Sequence, residues 1–143
     1  MDEVGVRLPV GPHMLLVKTE VRPSTIHGLG LFAGEFIPKG KVIWEFEPGF
    51  DLAIDKEKID NLPPIPRKWF QHYAHLSRKN GKYTLSVDND RYINHSSNPN
   101  TEDIDTGREE LATVALRDIE AGEELTCDYL AYSQENEMTK EFM

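Results

Sequence analysis

Cysteine is nearly absent from this chain: its 143 residues include one, Cys127. A lone thiol excludes an intrachain disulfide and any multi-thiolate zinc cluster within one chain. No apolar run approaches the roughly 20 residues that span a bilayer, and the N-terminus lacks a signal-peptide core. No membrane partner is therefore expected. A basic excess is also missing. Lys plus Arg number 16 against 25 Asp plus Glu, a formal charge of −9. Phosphate neutralisation drives nucleic-acid binding, so direct contact with nucleic acid is not expected. What is present suits one globular domain. The chain is 38% hydrophobic and 29% charged, and its length can bury roughly two-thirds of the unfolded surface.

The charge is uneven. Residues 101–143 hold 13 acidic and 3 basic side chains, a net of −10, whereas residues 1–100 carry a net of +1. Such a block is either a solvated face or a field that draws a cationic partner.

Residues 1–13, with Pro9, Gly11 and Pro12, read as a flexible N-terminal arm, and 133–143 as an acidic tail. Between them, short strands are expected at Met14–Glu20, Lys41–Phe46, Lys82–Val87, Leu111–Leu116 and Glu124–Tyr129. Pro63, Pro64 and Pro66 open a segment whose Trp69, Phe70, Tyr73 and Leu76 have helical spacing. That helix is expected to end near Asn80-Gly81. His72 and His75 lie three apart on it, but two histidines need further ligands to hold a metal, and a packed or surface helix explains them better. One echo is visible. Ile37-Pro38-Lys39-Gly40 and Ile119-Glu120-Ala121-Gly122 each resemble a turn feeding a strand, with glycine at a left-handed position. Two similar hairpins explain it as well as a duplication does. Many short strands and one modest helix give a mostly β domain with minor α.

Three segments carry chemistry. His27-Gly28-Leu29-Gly30-Leu31-Phe32-Ala33 places two glycines where backbone can approach a ligand. It lacks the third glycine and the βαβ context of a dinucleotide fingerprint. Arg91-Tyr92-Ile93-Asn94-His95-Ser96-Ser97-Asn98-Pro99-Asn100 concentrates polar side chains around an aromatic-aliphatic pair. His95 beside Ser96 suggests a hydrolase only weakly, because the nucleophile-elbow glycines are absent. Gly122-Glu123-Glu124-Leu125-Thr126-Cys127-Asp128-Tyr129 is, alone, a turn and a strand.

Together and in this order, the three segments resemble the SET-domain protein-lysine methyltransferases, over residues 14–132. Asn94-His95-Ser96-x-x-Pro99-Asn100 and Gly122-Glu123-Glu124-Leu125-Thr126-x-Asp128-Tyr129 are highly specific motifs. The resemblance implies a β-clip-like fold of small curved sheets, with a C-terminal segment threaded through a preceding loop. Such a pseudoknot is an exception to the usual avoidance of threading. It would bring Asn94–Ser97 against Asp128 and Tyr129.

The resemblance also implies methyl transfer from S-adenosyl-L-methionine to a lysine amine of a basic protein, such as a histone tail. Backbone of Gly28, Leu29 and Gly30 would line the methionine moiety. Asn94 and His95 would hold the amine and adenine, Arg91 would add a cofactor contact, and Tyr129 would stand at the transfer site. The physical demand is plain. An amine with an ordinary pKa of about 10.4 costs roughly 4–5 kcal/mol to neutralise at pH 7, and a sulfonium beside an apolar channel lowers that pKa.

Departures from the family pattern matter too. Ser97 stands where many relatives carry a zinc-binding cysteine, so no metal is expected. Something else must close the channel: Tyr132, Phe142 or a partner chain, making a homodimer plausible. Phe46 and Cys127 are expected along the substrate channel. Phe46 lacks the hydroxyl that relatives often place there, and Cys127 is small, so both favour more than one methylation. A buried small apolar residue is the plainer reading of Cys127. The acidic block, through Glu102, Asp103, Asp105, Glu109 and Glu110, would attract a basic peptide. A stand-alone domain is expected, cytoplasmic, or nuclear if it acts on chromatin. The alternatives are a non-catalytic module that binds a basic peptide, and a methyltransferase for a small amine.

Overall fold

The computed structural model describes residues 14–132. The N-terminal arm, the acidic tail and Phe142 lie outside the described residues. The strands are β1 (Met14–Leu15), β2 (Thr19–Pro23), β3 (Leu29–Ala33), β4 (Val42–Glu45), β5 (Leu52–Ile54), β6 (His75–Leu76), β7 (Tyr83–Leu85), β8 (Asn94–His95), β9 (Thr101–Ile104), β10 (Ala112–Ala115) and β11 (Thr126–Cys127). Helices α1 (Lys56–Asp60), α2 (Pro64–Tyr73) and α3 (Tyr129–Tyr132) are short, and a 3-10 turn covers Asn89–Tyr92. The strands make four small sheets, in orders β1-β4-β10-β9, β2-β3, β5-β7-β6 and β8-β11. Only the last pairs in parallel.

Strand identity follows from residue type and burial. β10 is Ala-Thr-Val-Ala, buried at all four positions between two neighbours. β4 sets Ile43 and Trp44 in the interior. Leu31, Ile37, Ile43, Ile119 and Leu125, none with exposed surface, form the main core with Ala33, Ile93, Ala115 and Cys127. A second cluster, Ile59, Ala74, Leu76, Tyr83 and Leu85, packs under the two longer helices.

Helix α2 starts as expected, with Pro64 in its first turn. It stops at Tyr73, well before Asn80-Gly81. Ala74 turns extended (φ −95°, ψ 156°), and His75 and Leu76 pair with Thr84 and Tyr83 instead. Sheet pairing of Leu76 outweighs its helical spacing. The expected strand at Met14–Glu20 divides into β1 and β2. The strand expected from Glu124 narrows to Thr126–Cys127, and Tyr129 begins α3.

The internal echo has a structural counterpart. Ile37 and Ile119 exchange both backbone hydrogen bonds, at 2.9 and 2.8 Å. An offset of 82 residues in sequence maps the bond from Gly40 N–H to the Ala115 carbonyl onto that from Gly122 N–H to the Ala33 carbonyl, both 2.8 Å. Both glycines are left-handed, at φ 84° and 93°. The same offset maps the β2–β3 pair Thr19↔Ala33 onto the β9–β10 pair Thr101↔Ala115. Two like units therefore face each other across the Ile37–Ile119 bridge. The second unit delivers β11 to the centre.

Candidate active site

β11 is held on both sides by one stretch of chain. Along one edge it pairs in parallel with β8, Thr126 opposite Asn94 and Cys127 opposite His95. Ser96 N–H donates to the Cys127 carbonyl at 2.9 Å. Along the other edge, Thr126 N–H donates to Asn100 Oδ1 at 2.8 Å, and the Thr101 hydroxyl donates to the Thr126 carbonyl at 2.7 Å. Residues 94–101 thus loop around β11, which is the threaded arrangement. It explains why this polar stretch is ordered: its amides and hydroxyls are the partners of buried backbone groups.

Tyr129 emerges where this knot closes. Its hydroxyl donates to the Ile93 carbonyl at 2.6 Å. Its N–H donates to His95 Nδ1 at 3.1 Å, and the two rings lie 5.3 Å apart. Burial, reinforced by Cys127, Asp90 and Glu124, pushes the Tyr129 hydroxyl far above its ordinary value. Tyr129 is a permanent neutral hydrogen-bond donor at any working pH.

Asn94 ties the three motifs together. Its amide nitrogen donates to the His27 and Leu29 carbonyls, both at 3.1 Å, and to Glu124 Oε2 at 2.9 Å. The Ser24 hydroxyl reaches the same carboxylate at 2.8 Å. A Cβ at Gly30 would fall 2.3 Å from Glu124 Oε2, so glycine is required there for close approach rather than for a left-handed turn.

Around these residues lies one cavity of about 430 Å³. Gly28, Leu29, Arg91, Asn94, His95, Cys127 and Tyr129 all line it. The Arg91 guanidinium sits 5.3 Å from the Tyr92 ring and 5.9 Å from the Tyr73 ring. Two expected residues are elsewhere. Gly30 is buried against Glu124 and does not line the cavity. Phe46 is buried, edge-on to Trp44 at 6.3 Å, and its carbonyl accepts from Arg108. Trp44, two residues earlier on β4, takes the place on the wall.

The wall also carries Asp90, which no motif singled out, together with Tyr73, His75, Asp103 and Glu110. Glu110 is interior, not surface. Burial alone would raise its carboxyl, but the hydrogen bond and charge of His75, with the Thr84 hydroxyl and Leu111 N–H, hold it at about 2. Burial raises Asp103 to about 6, against the hydrogen bond from Thr113. Asp105 pairs with Lys79. Of the five carboxylates expected to attract a basic peptide, Glu102, Asp105 and Glu109 are exposed.

The SET domain family model matches residues 28–130. The chain belongs to the SET-domain family. This SET domain is 32% identical over 105 residues to the histone-lysine N-methyltransferase set9 of Emericella nidulans, covering 73% of this chain and 16% of that protein. It is 33% identical over 121 residues to the histone-lysine N-methyltransferase trr of Drosophila melanogaster, covering 74% of this chain and 4% of that one. The chain therefore spans about a sixth, or less, of the curated relatives it matches. Among solved structures, the Neurospora SET domain protein DIM-5, a histone lysine methyltransferase, superposes with a TM-score of 0.60 at 21% identity, over 86% of this chain and 56% of that one. At that identity the likeness establishes the fold. No helix among the described residues of the SET domain is long and apolar enough to cross a membrane.

Proposed function

We propose that this SET domain is an S-adenosyl-L-methionine-dependent protein-lysine methyltransferase acting on a basic peptide such as a histone tail. The observation that carries the reading is Tyr129. It is a half-buried, neutral hydroxyl fixed at 2.6 Å from the Ile93 carbonyl, on the wall of a cavity shared with Asn94 and His95. Catalysis of this kind needs alignment more than acid or base power, and a rigid donor-acceptor pair provides it.

The residues present fit the cofactor. Asp90 Oδ1 and Trp44 Nε1 are buried on the cavity wall without partners, an acceptor and a donor that a polar ligand would satisfy. When bound, S-adenosyl-L-methionine supplies an electrophilic methyl on a sulfonium. Backbone at Gly28 and Leu29, held by Asn94, would seat the methionyl end. His95 and Arg91 would contact the nucleoside, and Tyr129 and the Ile93 carbonyl would aim the acceptor amine. A nuclear site of action follows if chromatin is the substrate, as the names of the relatives suggest.

The direct test is incubation with methyl-labelled cofactor and core histones, with modified lysines located by mass spectrometry. Label on lysine is the expected result. Cofactor binding with no transfer to any basic protein would replace this reading with the non-catalytic module.

A further inference from the structure

Accepting the methyltransferase reading above, the acceptor must lose a proton before it attacks, because an ammonium has no lone pair. Family resemblance and motif do not say where that proton goes. The cavity contains an answer of its own. Three acidic side chains, Asp90, Asp103 and Glu110, share its wall with Tyr129. Glu110 is fully engaged: its two oxygens accept from Ser77, Thr84 and Leu111 N–H, with His75 Nε2 at 3.4 Å. The other two are not. Asp103 Oδ1 accepts from the Thr113 hydroxyl at 2.8 Å, which leaves Oδ2 without a hydrogen bond among the described residues. Asp90 Oδ2 accepts from Ser86 at 3.0 Å, while its Oδ1 is buried without a partner. Trp44 is 3% exposed, and its indole N–H, also on the wall, has no partner either. Unpaired buried polar atoms cost free energy, so a cluster of them around a cavity marks where a polar ligand belongs.

We propose that Asp103 is the proton acceptor for the substrate ammonium, with Asp90 Oδ1 holding a second N–H so that the lone pair faces the methyl. An N–H bond of the ammonium breaks, and its proton passes to Asp103 Oδ2. The nitrogen lone pair forms the new N–C bond. The C–S bond breaks with its electrons left on sulfur, giving neutral S-adenosylhomocysteine and a methylated ammonium. Charge balances, since two cations and one carboxylate become one cation and one carboxylic acid. The proton returns to water when the product leaves.

The groups around Asp103 suit the role. His75, from β6, favours the carboxylate, whereas Glu110 and its own neighbour Glu102 disfavour it, and Thr113 on β10 binds it. Burial outweighs these and leaves Asp103 titrating at about 6, below working pH and high enough to hold a proton transiently. Asp90 is pushed well above its ordinary value, by burial first and then by Asp88.

The test is the pH dependence of kcat/KM for a lysine peptide in wild type, Asp103→Asn and Thr113→Val, with S-adenosylhomocysteine affinity and thermal unfolding measured alongside. Wild type should lose activity below about pH 6. Asp103→Asn should be slower by roughly 100-fold or more and lose that limb, with cofactor affinity unchanged. Thr113→Val removes a bond that favours the carboxylate, so it should move the limb to higher pH. An Asp103→Asn enzyme of wild-type rate and profile, or a Thr113→Val limb that stays in place, overturns the assignment while leaving the methyltransferase reading intact. A wild type that binds S-adenosylhomocysteine and transfers nothing overturns the reading beneath it.

Discussion

The side-chain amide of Asn94 donates to Glu124 Oε2 across 2.9 Å, joining two motifs 30 residues apart. Ser24 donates to the same carboxylate, and the Asn94 amide also grips the His27 and Leu29 carbonyls. Glu124 is therefore the strut behind the Leu29 backbone on the cavity wall.

Removing that strut should loosen the loop without touching Tyr129. Glu124→Ala leaves the partly buried Ser24 hydroxyl without its acceptor and takes one of three acceptors from the Asn94 amide, at about 1–2 kcal/mol. S-adenosylhomocysteine should bind roughly ten-fold more weakly by calorimetry, and Glu124→Gln should recover much of the loss. Gly30→Ala should be worse, because its methyl would meet Glu124 Oε2 at 2.3 Å. Equal affinity in all three variants would show that the strut does not hold the site.

Much of this was legible in the chain. Asn94, His95 and Tyr129 stand in motifs that resemble the family's; taken alone, the first reads as a polar loop and the second as a turn and a strand. The knot that unites them has no signal of its own, since the β8–β11 pairing joins two-residue strands with no local pattern. Burial of charge was equally hidden. Asp103 and Glu110 count as surface acid in any sum over the sequence, yet both line the cavity. Phe46 follows the end of the strand that carries Trp44, and only packing decides that Trp44 reaches the wall.

Acid stability should report Glu110. Its carboxyl lies at about 2 when folded, below the ordinary 4.5. A depressed carboxyl stabilises the fold fully above its unfolded value, and that contribution fades as pH falls from about 4.5 towards 2. Glu110→Gln should cost about 2–3 kcal/mol at pH 7 and progressively less on acidification. Denaturant titrations at pH 7 and pH 3 check this, and a pH-independent difference would contradict it.

Product multiplicity should depend on Cys127. This small side chain lies on the cavity wall, and a larger ring there removes space for a methylated amine. Cys127→Tyr should shift the products of a lysine peptide towards monomethylation, read as peptide masses. An unchanged methyl count would mean that Cys127 is only a buried apolar residue.

The most direct measurement is single-turnover methyl transfer by Tyr129→Phe, with S-adenosylhomocysteine binding measured on the same sample. The substitution removes one hydroxyl from a cavity whose other walls are unchanged. Transfer should fall roughly 100-fold or more while cofactor binding persists. Transfer to lysine at the wild-type rate would contradict the central claim that the hydroxyl bonded to the Ile93 carbonyl aligns the reacting amine.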